Sequence, residues 1–173
     1  VVTIAKGLTS GYMPMSAVLV GDRIAKYLIN EGGEFYHGFT YSGHPVSAAV
    51  ALANIELIET EGLIERVRDQ TAPYLADAIK KLDDHPLVGE TRSLGLLACV
   101  ELVKHKSGPV LFDHIGEVGM LCRDHAIKGG LMGRAVRDGM ILSPSLSFQA
   151  MDIDVVIEKL KHALDATYAE LKK

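Results

Sequence analysis

A single lysine stands where a strongly apolar stretch ends. Residues 1–5 are β-branched or small, Lys6 follows them, and glycine, serine and threonine dominate residues 7–11. This pattern predicts an amine at the end of a buried strand, next to flexible backbone. Burial disfavours the charged form of a lysine, and the neutral amine attacks carbonyl groups. Lys6 is therefore a candidate nucleophile, and a solvated lysine just past a strand is the alternative.

A second candidate is the loop of residues 37–45, which reads HGFTYSGHP. Its Pro45 suits the first position of a helix. The free N–H groups and the dipole at a helix N-terminus both favour a phosphate, so the loop is a candidate anion site. Many loops before helices share this composition. His37 and His44 have no acidic or cysteine partners nearby, and we interpret them as hydrogen-bonding residues rather than metal ligands.

A third candidate is Arg134, which lies within an otherwise apolar stretch at residues 131–136. An unpaired guanidinium in apolar surroundings is costly, so the position predicts a partner. That partner is either a carboxylate of the protein in a buried salt bridge or the carboxylate of a substrate, held in bidentate fashion.

The elements before residue 60 follow from the apolar pattern. A continuously apolar strand at residues 15–20 is typical of strands covered on both faces, as in parallel or mixed sheets. Asp22 is expected to cap a short helix that ends near Asn30. A helix from Pro45 to residue 58 is apolar nearly all round, which predicts burial on every side. We expect the chain to be part of a longer one, because the remaining residues are too few to cover these elements.

The pattern changes after Gly62. A helical stripe at residues 63–82 is interrupted by Pro73, two strands at residues 87–103 are joined by Gly95, and a helix covers residues 117–128. Short strands follow at residues 131–136 and 140–142, and a last helix has Asp152 as its candidate cap. These elements predict a small α+β unit beside the α/β end of a larger domain.

Composition excludes some functions. Of the 173 residues, 48% are hydrophobic and 23% charged, as in ordinary globular proteins, and the net charge of −4 gives no basic field for nucleic acid or an anionic membrane. No apolar run is long enough to span a bilayer. Cys99 and Cys122 each lie in an apolar context, which predicts buried, reduced thiols and a cytoplasmic location.

Three motifs in this order resemble one enzyme family. They are IAKGLTSGY at residues 4–12, HGFTYSGHP at residues 37–45, and HPLVGE at residues 85–90, followed by Arg92 and the pair at residues 95–96. The chain resembles the class III, fold-type I aminotransferases, which depend on pyridoxal 5'-phosphate. Within them it is most similar to the ω-amine:pyruvate group, which includes putrescine:pyruvate enzymes.

The resemblance implies an α/β fold in two parts. Residues 1–60 would be the C-terminal portion of the large domain that binds pyridoxal phosphate, and residues 61–173 the small α+β C-terminal domain. It also implies a homodimer, or a dimer of dimers, whose active site is shared between subunits.

The resemblance also implies roles for the three candidates. Lys6 would bind pyridoxal phosphate covalently and carry a proton between substrate and cofactor. Thr40 would bind the phosphate of the cofactor in the neighbouring subunit. Arg134 would bind the carboxylate of a keto-acid acceptor and move aside for an amine donor that lacks one. The reaction would move an amino group from an ω-amine, a diamine or an ω-amino acid to pyruvate by a ping-pong mechanism.

The chain departs from the family pattern at a few positions. Ser93 and Arg137 stand where glycine is usual, and Ser145 replaces the second proline of a Pro-Pro-Leu motif. We interpret Arg137 as a turn residue beside Asp138. The family's cofactor-pairing aspartate precedes the lysine motif, so we expect these 173 residues alone to be inactive in transamination. Two alternatives remain: another class III enzyme (decarboxylase, racemase or mutase), or an inactive truncated remnant.

Overall fold

The computed structural model describes residues 1–107 and 110–172, and the chain divides into two compact units, Val1–Gly62 and Leu63–Lys173. None of the helices in these described stretches is long and apolar enough to cross a membrane. The assignment of residues 1–60 and 61–173 to a large and a small domain remains a prediction.

The first unit contains a β-hairpin and two helices. Strands β1 (Val2–Ala5) and β2 (Ser16–Leu19) pair in antiparallel register, with Val2 opposite Leu19. Helices α1 (Asp22–Asn30) and α2 (Pro45–Thr60) follow. The predicted second strand and both helices are confirmed, although Gly21 rather than Asp22 is the N-cap of α1.

The apolar faces of this unit are largely uncovered, as expected from the small number of residues available to cover them. Val18 and Leu19 in β2 are more than half exposed, and α2 buries only Ser47 and Ala51 while Leu52 is 69% exposed. An apolar face in the sequence indicates a surface that can be buried, but the face is buried only where another element packs on it. A two-stranded hairpin and two helices leave most of their apolar side chains without such a layer.

The second unit opens with a helical segment that changes geometry near its proline. Helix α3 (Leu63–Arg66) continues through a π-helical turn (Val67–Thr71) into α4 (Ala72–Lys80). Pro73 lies in the first turn of α4 and has no N–H to donate to the preceding turn. The predicted interruption is confirmed, and it takes the form of the wider π-helical turn.

A four-stranded antiparallel sheet and two further helices complete this unit. The strands β3 (Val88–Leu94), β4 (Leu97–Leu102), β5 (Arg134–Val136) and β6 (Gly139–Leu142) lie in the order β3-β4-β6-β5. The helices are α5 (Glu117–Lys128) and α6 (Ala150–Leu171). Gly95 turns the β3–β4 hairpin with a positive φ of 59°, so the predicted strand pair is confirmed.

The core of the second unit is formed by α4, α5, α6 and the sheet. Asp152 was expected to be the N-cap of α6, but the N-cap is Gln149 and Asp152 is the N3 residue. The carboxylate of Asp152 accepts from the backbone N–H of Gln149 at 2.8 Å in a capping box. The largest fully buried apolar side chains are Leu75, Ile79, Val88, Val100, Leu102, Val103, Met140, Ile153, Leu160 and Leu164.

Candidate active site

Lys6 lies immediately after β1, as the first residue of a short 3-10 turn (Lys6–Leu8). Its φ is +54°, in the left-handed region that costs free energy for a residue with a Cβ. The side chain is exposed, so the expected burial of this amine is wrong. No ion pair among the described residues involves Lys6, so no described carboxylate competes for its amine.

The turn after Lys6 is tied to helix α2 by one side chain. The Nδ2 of Asn54 donates to the carbonyl of Gly7 at 2.9 Å and to that of Leu8 at 3.1 Å. Its Oδ1 accepts from the hydroxyl of Ser10 at 2.6 Å. Sequence reasoning missed Asn54, although a lone polar residue in an apolar helical stretch was a signal.

A second tie closes the segment between β1 and β2. Thr9 is 1% exposed, and its hydroxyl donates to the carbonyl of Met13 at 2.6 Å. The segment after Lys6 is therefore held by a hydrogen bond within the segment, from Thr9 to Met13, and by the hydrogen bonds to Asn54 of α2.

The loop of residues 37–45 is ordered by local hydrogen bonds. The backbone N–H of Phe39 donates to the hydroxyl of Ser42 at 3.0 Å, and the Nδ1 of His44 accepts from the N–H of Ser47 as the N-cap of α2. Thr40 lies in the turn before α2 and is exposed. The interpretation of His44 as a hydrogen-bonding residue is therefore confirmed.

The side chain of His37 behaves differently, because it lies between aromatic rings. Its ring centroid is 5.7 Å from that of Phe35 and 5.6 Å from that of Phe39.

No group of three or more potential metal-ligating side chains occurs among the residues that the structure describes.

An open cleft of about 490 Å³ separates this loop from the segment that leads into β2. Its polar lining comes from Ser16, Ser42, His44 and Ser47, and its apolar lining includes Met13. The cleft lies wholly within the first unit, at the N-terminus of α2. Lys6 and Thr40 are not among its lining residues.

Arg134 begins the edge strand β5, opposite Ile141 in β6, and is exposed. The expectation of a buried salt bridge is wrong, because an edge strand with an outward side chain keeps its guanidinium hydrated. In the described part of the chain, Arg134 enters no ion pair. It borders an open groove of about 580 Å³ whose lining includes Met132, Ser143 and Phe148. The free guanidinium beside this groove suits a carboxylate.

The turn after β5 is fixed to helix α5. Arg137 is exposed in this turn with a φ of +53°, where we expected it. The Asp138 carboxylate accepts from the backbone N–H of Gly116 at 2.8 Å and from that of Gly119 at 2.9 Å. These bonds satisfy free donors at the start of α5.

The residues of the third motif interact with neighbouring residues of the second unit. His85 accepts at Nδ1 from the N–H of Leu87 at 3.2 Å, and its Nε2 lies 3.4 Å from Asp165 without hydrogen-bond geometry. Burial lowers the pKa of His85, and the charge of Asp165 opposes that shift. Arg92 pairs with Glu90 at 2.7 Å and with Glu101 at 2.5 Å. The carboxylates raise the pKa of Arg92 and hold it charged.

Both cysteines are free thiols. Cys122 is buried, and this burial raises the pKa of its thiol to about 11. Cys99 is only half-buried, with its sulfur 3.7 Å from a guanidinium nitrogen of Arg92, and burial raises its pKa too. The prediction of burial holds fully for Cys122 alone, and that of reduced thiols stays a prediction.

Comparisons with known proteins place the chain in a family. The model of the family "Aminotransferase class-III" matches residues 1–164. A putrescine–pyruvate aminotransferase of Pseudomonas aeruginosa is 55% identical over 166 residues, which are 96% of this chain and 36% of that protein. A probable gamma-aminobutyrate transaminase 3 of Oryza sativa subsp. indica is 40% identical, over 99% of this chain and 34% of that protein.

Solved structures agree with the sequence relatives. The omega transaminase from Pseudomonas jessenii in complex with PMP superposes with a TM-score of 0.89 at 34% identity, over 95% of this chain and 37% of that one. The chain thus spans about a third of the length of the relatives it matches. The mixed helix and sheet fold is that of these transaminases. The chain belongs to the class III aminotransferases, enzymes that depend on pyridoxal phosphate.

Proposed function

We propose that these residues are the carboxyl-terminal part of an aminotransferase subunit. The whole protein moves an amino group from an ω-amine, a putrescine-like diamine or an ω-amino acid to pyruvate in a ping-pong reaction. In one half-reaction the amine becomes an aldehyde or ketone, and in the other pyruvate becomes alanine. The observation that carries this proposal is the 55% identity to the putrescine–pyruvate enzyme over 96% of this chain.

The residues present suit the cofactor. An exposed amine with no ion-pair partner, on a turn tied to a helix, is a suitable group for covalent attachment of an aldehyde. Bound pyridoxal phosphate supplies an electron sink for the substrate. Lys6 would hold the cofactor and, with its amine released, would move a proton between the substrate carbon that bears the nitrogen and the cofactor, in opposite directions in the two half-reactions.

Thr40 is proposed to bind the cofactor phosphate of the neighbouring subunit. Thr40 is exposed, and it precedes Pro45 by five residues. Pro45 is the first residue of the 16-residue helix α2. The dipole of such a terminus favours a phosphate, and the N–H of Ser47 there is bonded to His44 in the cofactor-free chain. This role requires a homodimer, or a dimer of dimers, with an active site that both subunits complete.

Arg134 is proposed to bind the carboxylate of the keto-acid. A carboxylate gains two parallel hydrogen bonds from a guanidinium, and no described carboxylate competes for this one. Its long side chain can turn away when an amine donor without a carboxylate enters. The cytoplasmic location remains a prediction that rests on the two free cysteines.

The test is a product assay on the whole protein. With pyridoxal phosphate, putrescine and pyruvate, we expect alanine to form at a rate that Lys6→Ala lowers by about 10²–10⁴-fold or more. The matched variant Lys26→Ala, on helix α1, is expected to keep the wild-type rate. A second assay with a chiral amino acid in place of putrescine tests the other class III reactions: release of carbon dioxide or racemised substrate without alanine would identify a decarboxylase or racemase. Absence of product with a putrescine-like diamine, an ω-amine and an ω-amino acid alike would identify an inactive remnant.

A further inference from the structure

We propose that Asn54 is a positioning residue that holds the turn of Lys6 in the orientation needed for cofactor attachment. This inference rests on the proposed function of Lys6. Asn54 touches neither substrate nor cofactor in this account. It acts through the backbone that carries the lysine.

The hydrogen bonds of Asn54 all go to the residues that follow Lys6. Its amide group donates to the carbonyls of Gly7 and Leu8, and its oxygen accepts from the hydroxyl of Ser10. These partners lie 44 to 47 positions away in sequence. One side chain therefore uses both its donor hydrogens and its acceptor on a single turn.

Asparagine is an unfavourable choice for the middle of a helix. Its neighbours in α2 are Ala53 and Ile55, and its side chain competes with the backbone for hydrogen bonds. An alanine at this position would give a more stable isolated helix. The polar contacts to the turn supply a reason for the asparagine that helix stability does not.

The turn itself is strained and needs a restraint. Lys6 and Ser10 have positive φ angles of 54° and 49°, and Gly11 follows at 78°. Side-chain-bearing residues keep this conformation only where their surroundings impose it. The backbone bond from the N–H of Thr9 to the carbonyl of Lys6 is long, at 3.3 Å. Thr9 restrains the later part of the turn through Met13, and Asn54 restrains the residues directly after Lys6.

Loss of these bonds changes the direction of the lysine more than the stability of the fold. A turn freed from α2 relaxes toward negative φ at Lys6, and the Cβ of the lysine then leaves the chain in another direction. A displacement of about 1 Å in a reacting group lowers rates by about a hundredfold. Attachment at Lys6 should therefore slow in a folded variant.

The test compares four variants of the whole protein. Asn54→Asp keeps the size and the acceptor for Ser10 but loses both amide donors and places a carboxylate against two carbonyl oxygens. Asn54→Ser shortens the side chain, and Ser10→Ala removes only one bond. Glu56→Gln is the matched control, an exposed carboxylate-to-amide change on the same helix.

Two measurements are made on each variant. Hydrogen exchange of the cofactor-free protein reports the protection of residues 7–13. Borohydride trapping after addition of pyridoxal phosphate, followed by peptide mass spectrometry, reports the rate of attachment at Lys6. For Asn54→Asp we expect exchange about tenfold faster and attachment at least about tenfold slower. Ser10→Ala should show a smaller change, and Glu56→Gln none, at equal unfolding midpoints.

The outcomes separate this inference from the proposed function. Wild-type attachment at Lys6 together with an equal rate in Asn54→Asp overturns the role of Asn54 alone. No attachment at Lys6 in the wild type overturns both. If Asn54→Asp does not fold, Asn54→Ser and Ser10→Ala decide: unchanged attachment in both overturns the inference, and slower attachment in both supports it.

Discussion

The carboxylate of Asp138 is hydrogen-bonded to the backbone N–H of Gly119 at 2.9 Å, and the two backbones nearly touch there. A Cβ on Gly119 would overlap the carbonyl oxygen of Arg137. Only glycine fits this contact between the start of α5 and the turn that follows β5. The strand that carries Arg134 is thereby attached to a helix of the core.

Gly119→Ala should destabilise the protein because the backbone has to move to admit the methyl group. We expect a loss of about 1–3 kcal/mol in the free energy of unfolding, measured by urea denaturation. Gly129→Ala, at the other end of α5, is the control, because its Cβ would make only ordinary contacts from 3.4 Å. Equal losses in the two variants would contradict this explanation.

Arg134→Gln should weaken the acceptor half-reaction with little effect on stability. A hydrogen bond to a charged group contributes about 1.5–3 kcal/mol, so kcat/KM for pyruvate should fall about 10–100-fold. The unfolding midpoint should stay unchanged, since Arg134 is exposed. Steady-state kinetics on the whole protein measure both half-reactions.

Arg137→Asn provides the comparison for Arg134. Asparagine tolerates the positive φ of this turn position, so the fold should be preserved. We expect the kinetics with pyruvate to change less than about twofold, as for a surface substitution. A loss equal to that in Arg134→Gln would show that the carboxylate site had been assigned to the wrong arginine.

The elements that the sequence predicted well are those with local signals. Helix α5 ends at Lys128, as the following two glycines indicated, and α2 begins at Pro45. Burial was harder to predict, because it depends on which elements cover a face. The uncovered surface of α2 was expected from the few residues available, whereas the exposed position of Arg134 on an edge strand was not.

The candidate site was predicted in part, for the same reason. The positions of Lys6 after β1 and of Thr40 before α2 follow from local patterns, whereas their roles came from the family resemblance and remain predictions. Asn54 was missed because nothing near it in sequence identifies a partner more than 40 positions away. The left-handed φ of Lys6 likewise has no sequence signature, since that conformation is unusual for lysine.

His85 should make stability fall in mild acid. Burial lowers its pKa in the folded state, Asp165 opposes the shift, and Lys106 and Lys161 add to it. Because the folded pKa lies below the unfolded value of about 6.5, His85 costs no stability above that pH. As pH falls through about 6.5, the unfolded state takes up the proton first, and stability is lost.

Urea denaturation between about pH 7.5 and about pH 5.5 measures this effect. The variant His85→Asn should show a smaller fall than the wild type over that interval. His114→Gln is the control, since His114 is exposed and the variant should keep the wild-type fall. A fall in His85→Asn as large as in the wild type would exclude His85 as the cause.

Cys122 should resist alkylation until the protein unfolds. Its thiol is fully buried with a pKa of about 11, so both access and thiolate content are low at neutral pH. Timed treatment with iodoacetamide and peptide mass spectrometry should find Cys99 modified first and Cys122 only in denaturant. Rapid modification of Cys122 in the folded protein would be inconsistent with its placement in the core.

The amine that follows β1 is proposed to carry the cofactor, and this attachment can be measured directly. The most direct measurement is borohydride reduction of the whole protein loaded with pyridoxal phosphate, followed by peptide mapping. We expect the reduced cofactor on Lys6, no such label in Lys6→Ala, and full label in Lys26→Ala. A wild-type protein that carries its label on another lysine, or none, would contradict the account.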